Sequence, residues 1–237
     1  MPSVAVIIQN YKRPQNIGLV TRNAREALPE APIFLLDQAA DASLRDRNDI
    51  AWDEVWYRKA DNRGAGARFP IAAAAPFDHY IAIDDDTFLT PPQIAALAER
   101  LAAEPDRAHG VWGQRVELEA GRLSFRSDLC NINAALSFLN LAYAFSRAQA
   151  LGALALAAQL GFPAWPDNDP IDDMLMSCGL VKPPLCHDLG PLAFCPTSTE
   201  PGVATWREQD FSRRRREIAA QLIGLGRVAV FSPLVIR

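Results

Sequence analysis

Three short apolar runs limit what this chain can become: Val4 to Ile8 (VAVII), Ile33 to Leu36 (IFLL) and Tyr80 to Ile83 (YIAI). None of them alternates apolar with polar residues. A strand with one face in water does alternate, whereas a strand covered on both faces reads as a continuous hydrophobic run. Helical signals separate these runs. Pro14 suits a first helical turn, and Ile17, Val20, Ala24 and Leu28 share one helical face. Thr90 and Gln93 have capping-box spacing around Pro91, and Ile94, Leu97 and Leu101 follow as a buried stripe. With a further strand near Val55 to Tyr57 and an Ala-rich helix after NRGAGARF, strand and helix alternate over the first hundred residues. That order predicts an α/β fold with a mostly parallel central sheet flanked by helices.

Polar residues gather where these strands end: Asn10 to Arg13, Asp37, Asn62 to Arg68, and Asp84 to Asp86. In open parallel sheets, ligands collect beyond the carboxyl ends of the strands. The last group is the sharpest. Three adjacent carboxylates repel one another, and none is buried cheaply without a cationic partner. An aspartate group in this position suits Mg²⁺ or Mn²⁺, hard ions that prefer carboxylate and phosphate oxygens. The alternative is a solvated acidic turn capping the next helix. Gly64 and Gly66 would let backbone approach a phosphate or ribose, or serve simply as turn residues.

The second half is less regular. GVWGQRVELEAGRLSFRS predicts a hairpin turning near Ala120-Gly121, SFLNLAYAFS a single apolar strand, and Arg147 to Leu160 a helix. PDNDPIDDMLMSCGL leads from a loop into a short helix. LVKPPLC reads as a strand, Glu208 to Leu222 as a helix and RVAVFSPLVIR as a terminal strand. A length of 237 residues with 49% hydrophobic side chains supplies a sizeable core, and a formal charge of −4 argues against general nucleic-acid binding. The Arg213–Arg216 run reads as a solvated helix side, with a peripheral membrane contact as its alternative. Val4 to Ile8 is too short for a signal-peptide core, and no stretch has a clean transmembrane length. The four cysteines, Cys130, Cys178, Cys186 and Cys195, lack CxxC spacing and are expected to be reduced. A cytoplasmic protein, in one domain without repeats or linkers, is the expectation.

The order VAVIIQNYKRP, LLD, DNRGAGARF, YIAIDDDTFLTPPQIAAL resembles glycosyltransferases of the A-type fold, closest to the family 2 pattern. The resemblance covers about the first hundred residues well and the remainder loosely. It implies a Rossmann-like nucleotide-sugar-binding half over residues 1–105 and an acceptor half over 106–237. It implies that Asp86 ligates a divalent ion, Mn²⁺ or Mg²⁺, and that Asp84 contacts the donor or the metal, with Asp85 behind them. Asn10, Tyr11, Arg13 and Asp37 would border the base, and Asn62, Gly64 and Arg68 would lie near the nucleotide. DNDPIDDMLM resembles the family's Glu-Asp pair, which places Asp173 as catalytic base, Asp172 beside it and Asp169 as a rival. His187 would be a further metal ligand. Trp165 and Trp206 are candidates for stacking on a sugar, and residues 197–204 (TSTEPGVA) for a loop closing over the donor. Arg13, Arg63 and Arg68 each also have an ordinary surface-cation reading, and Asp173 the reading of a helix-terminal acid.

Two features depart from the family 2 pattern. LLDQAAD replaces the fuller acidic run after the second strand, and the acidic pair and triple also resemble exostosin-like transferases, which retain anomeric configuration. Asp37 with the Asn10 to Arg13 turn suggests recognition of a base edge. An aspartate accepts a hydrogen bond from the uracil N3–H, so a UDP-sugar donor is expected, with a GDP-sugar as alternative. The acceptor would be a glycan, a lipid-linked group or a protein. Rival functions are a nucleotidyltransferase, which would carry glycines in place of QNYKRPQN, and a haloacid dehalogenase-like phosphatase, whose nucleophile lies on its first strand. A non-catalytic sugar-nucleotide or glycan-binding protein is the third.

Overall fold

The first apolar run becomes β1 (Val4–Asn10), which lies inside an eight-stranded sheet. The structure, a computed structural model, describes residues 2–38, 44, 47–58, 65–162, 173–207 and 210–233. From β1 the chain passes through α1 (Pro14–Ala27), forms β2 (Ile33–Asp37) beside β1 and β3 (Glu54–Arg58) beyond it. It returns through a 3-10 turn at Ala65–Ala67 and α2 (Arg68–Ala74), and lays β4 (His79–Asp84) on the other side of β1. These four strands are parallel. Because the order of addition reverses at β1, a crevice opens beyond the carboxyl ends of β1 and β4, where ligands bind in sheets of this kind.

After β5 (Thr87–Phe88) and α3 (Pro91–Ala103), the chain extends the same sheet with β6 (His109–Gly110). It then builds a hairpin from β7 (Trp112–Glu119) and β8 (Arg122–Cys130), followed by β9 (Ala134–Ala135), β10 (Phe138–Leu139) and β11 (Ala142–Ser146). The hairpin turns at Ala120 and Gly121, both at positive φ, where the sequence places it. The SFLNLAYAFS segment is two strands, not the single strand expected. β10 pairs with β7 in a second sheet, whereas β11 pairs antiparallel with β4. Asn140 and Leu141 carry the chain from one sheet to the other, with Leu141 at φ 68°. An apolar run does not record which of two sheets each part joins.

The remaining elements are α4 (Arg147–Gln159), α5 (Asp173–Ser177), β12 (Leu185–Cys186), β13 (Ala193–Phe194), α6 (Phe211–Gly224) and β14 (Val230–Phe231). β12 is shorter than LVKPPLC suggests, because Pro183 and Pro184 offer no N–H to a ladder. α6 starts and ends later than the sequence indicates. Of the expected terminal strand, the described residues form the two-residue β14, which pairs with β7, and 234–237 lie outside the described residues. The main sheet runs β3-β2-β1-β4-β11-β6-β12-β9. No helix among the described residues is long and apolar enough to cross a membrane.

Both faces of the sheet are covered, which explains the unbroken apolar runs. Val6 and Ile8 pack with Ile17, Val20 and Ala24 of α1 and with Ile94, Leu97 and Leu101 of α3. Ala5 and Ile7 point to the opposite core, shared with Ile71 of α2, Ala153 of α4, Leu175 of α5 and Leu222 of α6. Capping-box bonds fix two of the helix starts. Thr90 N donates to Gln93 Oε1 at 2.9 Å, and Ser146 N to Gln149 Oε1 at 2.8 Å.

α4 holds α5 in place by close backbone approach. A Cβ on Gly152 would lie 2.1 Å from the carbonyl oxygen of Gly179, and one on Gly179 would lie 2.4 Å from that of Gln149. Gly152→Ala should therefore destabilise the protein by about 1–3 kcal/mol, the usual range for overpacking a filled site. Gly224→Ala, where a Cβ meets nothing within 4 Å, is the matched control. Urea unfolding should show a lower midpoint for Gly152→Ala and an unchanged or slightly higher one for Gly224→Ala. Equal midpoints would remove the role given to the close approach.

Candidate active site

The three aspartates after β4 are neutralised unequally, and by arginines from different elements. Asp85 is 4% exposed and takes Arg13 Nη1 on Oδ1 at 2.9 Å and the backbone N–H of Tyr11 on Oδ2 at 2.6 Å. Asn16 of α1 donates to the Asp85 carbonyl at 2.8 Å. Asp84 pairs with Arg68 Nη2, which also donates to Gln9 Oε1 at 3.0 Å. Asp86 receives only the edge of Arg13, with Nη2 at 3.4 Å, and the Thr87 hydroxyl at 3.4 Å.

Burial outweighs this inequality in the electrostatics, so the better-paired Asp85 is raised as well as Asp86. Burial pushes the Asp85 carboxyl up to about 7; Arg13 and the Tyr11 N–H oppose it, while Asp86 and Asp84 add to it. Burial and then the Asp84 charge push Asp86 up to about 6, and Arg13 only partly offsets them. Burial alone would lower the Arg68 pKa, but Tyr143, Asp84 and Asp173 together outweigh it and raise it. Asp86 is thus the carboxylate of the three with the weakest cationic cover in the described structure.

A divalent ion fits that shortfall. No three His, Cys, Asp or Glu side chains come together as a metal cage among the described residues. Mg²⁺ and its like are commonly bound through one or two carboxylates plus substrate phosphates, with water completing the shell. Asp86, with Asp84 beside it, supplies such a donor set. His187 lies at the end of β12, 9% exposed, with its Nε2 2.9 Å from His109 Nδ1 and its ring stacked on that of His109. His109 Nε2 is 2.9 Å from the Glu104 carbonyl, which can only accept, so His109 must donate there. In the neutral pair His187 then donates from Nε2, and only its Nδ1 lone pair can face a metal. Burial, followed by the neighbouring His109, pushes His187 down to about 4, so the pair is neutral near pH 7.

Asp173 opens α5 and is 4% exposed. Tyr143 of β11 donates its hydroxyl to Asp173 Oδ1 at 2.5 Å. The guanidinium of Arg68 lies 5.5 Å from the Tyr143 ring centre. Arg68 itself is fully buried, so the surface-cation reading of this residue is wrong: α2 starts beneath the sheet's carboxyl end and carries its first side chain into the core. Asp84, Arg68, Tyr143 and Asp173 thus form one buried chain of charges and hydrogen bonds. Tyr143 and Gln9 were not distinguishable in the sequence, because each sits inside an apolar strand.

Asn10 and Asp37 are cross-strand partners, and Asn10 Nδ2 donates to Asp37 Oδ1 at 2.9 Å. Both are buried, and Asn10 Oδ1 has no hydrogen-bond partner among the described residues. Arg13 is 5% exposed rather than a surface cation. Its Nε donates to Thr197 Oγ1 at 2.9 Å and its Nη2 to the Thr197 carbonyl at 3.2 Å. Lys12 Nζ donates to the Gly202 carbonyl at 2.9 Å, so residues 197–202 are strapped to the turn after β1. Trp206 is half exposed and donates to the Ser198 carbonyl at 2.9 Å, which places it on this strap. Asn62, Arg63, Gly64, Trp165, Asp169 and Asp172 lie outside the described residues. On α6, Arg213 pairs with Asp210 and Glu217, and Arg215 donates to Gln114. The four cysteines are free.

No protein-family model matches the sequence, and no curated protein is similar to it. Solved structures do share its fold. One is the mannosyltransferase PcManGT from Pyrobaculum calidifontis in complex with GDP-Man and Mn²⁺, with a TM-score of 0.56 and 17% identity over 98% of this chain. Another is S. aureus TarS, residues 1–349, in complex with UDP-GlcNAc, with a TM-score of 0.59 and 12% identity over 93% of this chain. The chain spans 66% of the length of each. What the likeness establishes is the architecture: this chain is built on a fold that glycosyltransferases use.

Proposed function

We propose that the protein transfers a sugar from a nucleotide-sugar donor to an acceptor hydroxyl of a glycan, a lipid-linked sugar or a protein. The observation that carries this reading is a pair of carboxylate stations that both act on the buried Arg68: Asp84 to Asp86 at the end of β4, where Asp84 pairs with Arg68, and Asp173 at α5, whose charge raises the Arg68 pKa. In this reading Asp86 and Asp84 hold Mn²⁺ or Mg²⁺, which supplies charge stabilisation for the departing diphosphate. Asp84 also faces the donor sugar or ribose, and Asn10 with Asp37 meets the base. Asn62, Gly64 and Tyr11 border the nucleotide. His187 joins the metal only through Nδ1.

Asp173 accepts the proton of the acceptor hydroxyl as its oxygen bonds to the anomeric carbon, and the bond from that carbon to the diphosphate oxygen breaks. One base acting on one attacking hydroxyl gives inversion. Arg68 stays protonated throughout, so the two carboxylate stations keep a cation between them. UDP-sugars are favoured because an aspartate accepts a hydrogen bond from the uracil N3–H, with GDP-sugars the alternative; competition among UDP, GDP, CDP and ADP tests this.

Asp86→Ala and Asp85→Asn should separate into two phenotypes. Asp86→Ala is expected to lose Mn²⁺-dependent UDP affinity in calorimetry while melting near the parent. Asp85→Asn breaks a buried ion pair and should cost about 3–5 kcal/mol of stability. UDP affinity that is the same with and without chelator in the parent would remove the metal from the site.

Asp173→Asn should slow transfer by roughly 10²–10⁴-fold, the range for losing a general base. UDP and Mn²⁺ binding should stay near parental values. A helix-terminal charge alone contributes only about 0.3–1 kcal/mol. Parental transfer rates, or a product of retained configuration by NMR, would exclude Asp173 as base.

A further inference from the structure

We propose that Tyr143 is a positioning residue for Asp173, fixing the orientation of its carboxylate through Oδ1; this rests on the reading of Asp173 as base. α5 is five residues long, so its own dipole gives a carboxylate little to hold on to. Asp173 Oδ1 accepts a hydrogen bond from a phenol thirty residues upstream on the main sheet, at 2.5 Å.

The phenol is itself fixed. Tyr143 is fully buried, its backbone is in register with Ala82 of β4, and its ring packs against Phe145 at 5.7 Å and lies near the Arg68 guanidinium. A side chain on a paired central strand moves less than one on a five-residue helix, so the strand sets where the carboxylate points. Arg68 Nη2 is anchored on Asp84 and Gln9, which ties this position to the donor side of the crevice. Tyr143 keeps its proton and contributes geometry, and Asp173 remains the group that takes the proton of the acceptor.

Tyr143→Phe deletes the hydroxyl and keeps the ring, so its packing with Phe145 and Arg68 survives. The test is a cycle of Tyr143→Phe, Asp173→Asn and the double variant. Release of UDP from UDP-GlcNAc and of GDP from GDP-mannose with Mn²⁺ is followed, alongside UDP affinity by calorimetry. Tyr143→Phe should lower kcat roughly 10-fold or more, within the roughly 10²–10⁴-fold that a general base provides. KM for the donor and UDP affinity should stay within about 2-fold of the parent if the loss is confined to the chemical step.

The double variant should be no slower than Asp173→Asn alone, because a group acting through Asp173 has nothing left to act on. Multiplying losses, or a Tyr143→Phe enzyme as fast as the parent while Asp173→Asn is slow, would overturn the positioning role and leave the base reading standing. A fast Asp173→Asn enzyme would instead remove the base reading and, with it, this proposal. If neither donor is turned over by the parent, urea unfolding of the same four proteins decides. Non-additive midpoint shifts are expected, and additive shifts overturn the coupling.

Discussion

Three consecutive carboxylates at the end of a central strand need compensating charge, and this structure supplies it from inside the protein. Arg13 and Arg68 are both buried, one from the turn after β1 and the other from the first residue of α2. Taking such pairs out of water carries a large desolvation penalty, and only good geometry with further hydrogen bonds recovers it. Arg13 has that geometry with Asp85, whereas Arg68 reaches Asp84 and Gln9 through Nη2 alone, and its buried Nε and Nη1 have no hydrogen-bond partner among the described residues. Asp86 is left with an edge contact from Arg13 at 3.4 Å, and burial and the Asp84 charge raise its carboxyl pKa.

The two arginines also decide what is connected to what. Arg13 joins the β1–α1 turn to the acidic triplet and to Thr197 on the strap. Arg68 joins the triplet to Gln9 of β1 and lies close to Tyr143 and Asp173. Elements from both halves of the chain therefore meet at a few charged atoms. Arg13 and Arg68 thus each make contacts inside the protein, to carboxylates, an amide and the strap. Arginine suits that role because its planar fork offers several donors at fixed angles and it keeps its charge when buried.

Much of the framework was legible in the residues. Continuous apolar runs marked strands covered on both faces, Thr90 and Gln93 marked the start of α3, and Asn10, Asp37 and Asp84 marked strand ends, whereas Arg68 opens a helix. Less was legible after residue 105. The run from Ser137 to Ser146 carries no sign of the crossing at Asn140 and Leu141 between two sheets. Pro183 and Pro184, by contrast, carried a readable sign that little of LVKPPLC would pair.

The sequence by itself determined the sheet class, the order of the first four strands' helices and turns, and the placement of acidic residues at a strand end. Those properties depend on hydrophobic periodicity and local backbone chemistry, which neighbours in the chain settle. Only the tertiary structure decided which cation answers which carboxylate, and that Tyr143 meets Asp173. Such pairings join residues 16 to 72 positions apart, and whether they form depends on the register between β11 and β4, on the close approach of Gly152 to Gly179, and on the depth at which α2 begins. Distances of that kind are fixed by packing, and no local pattern carries them.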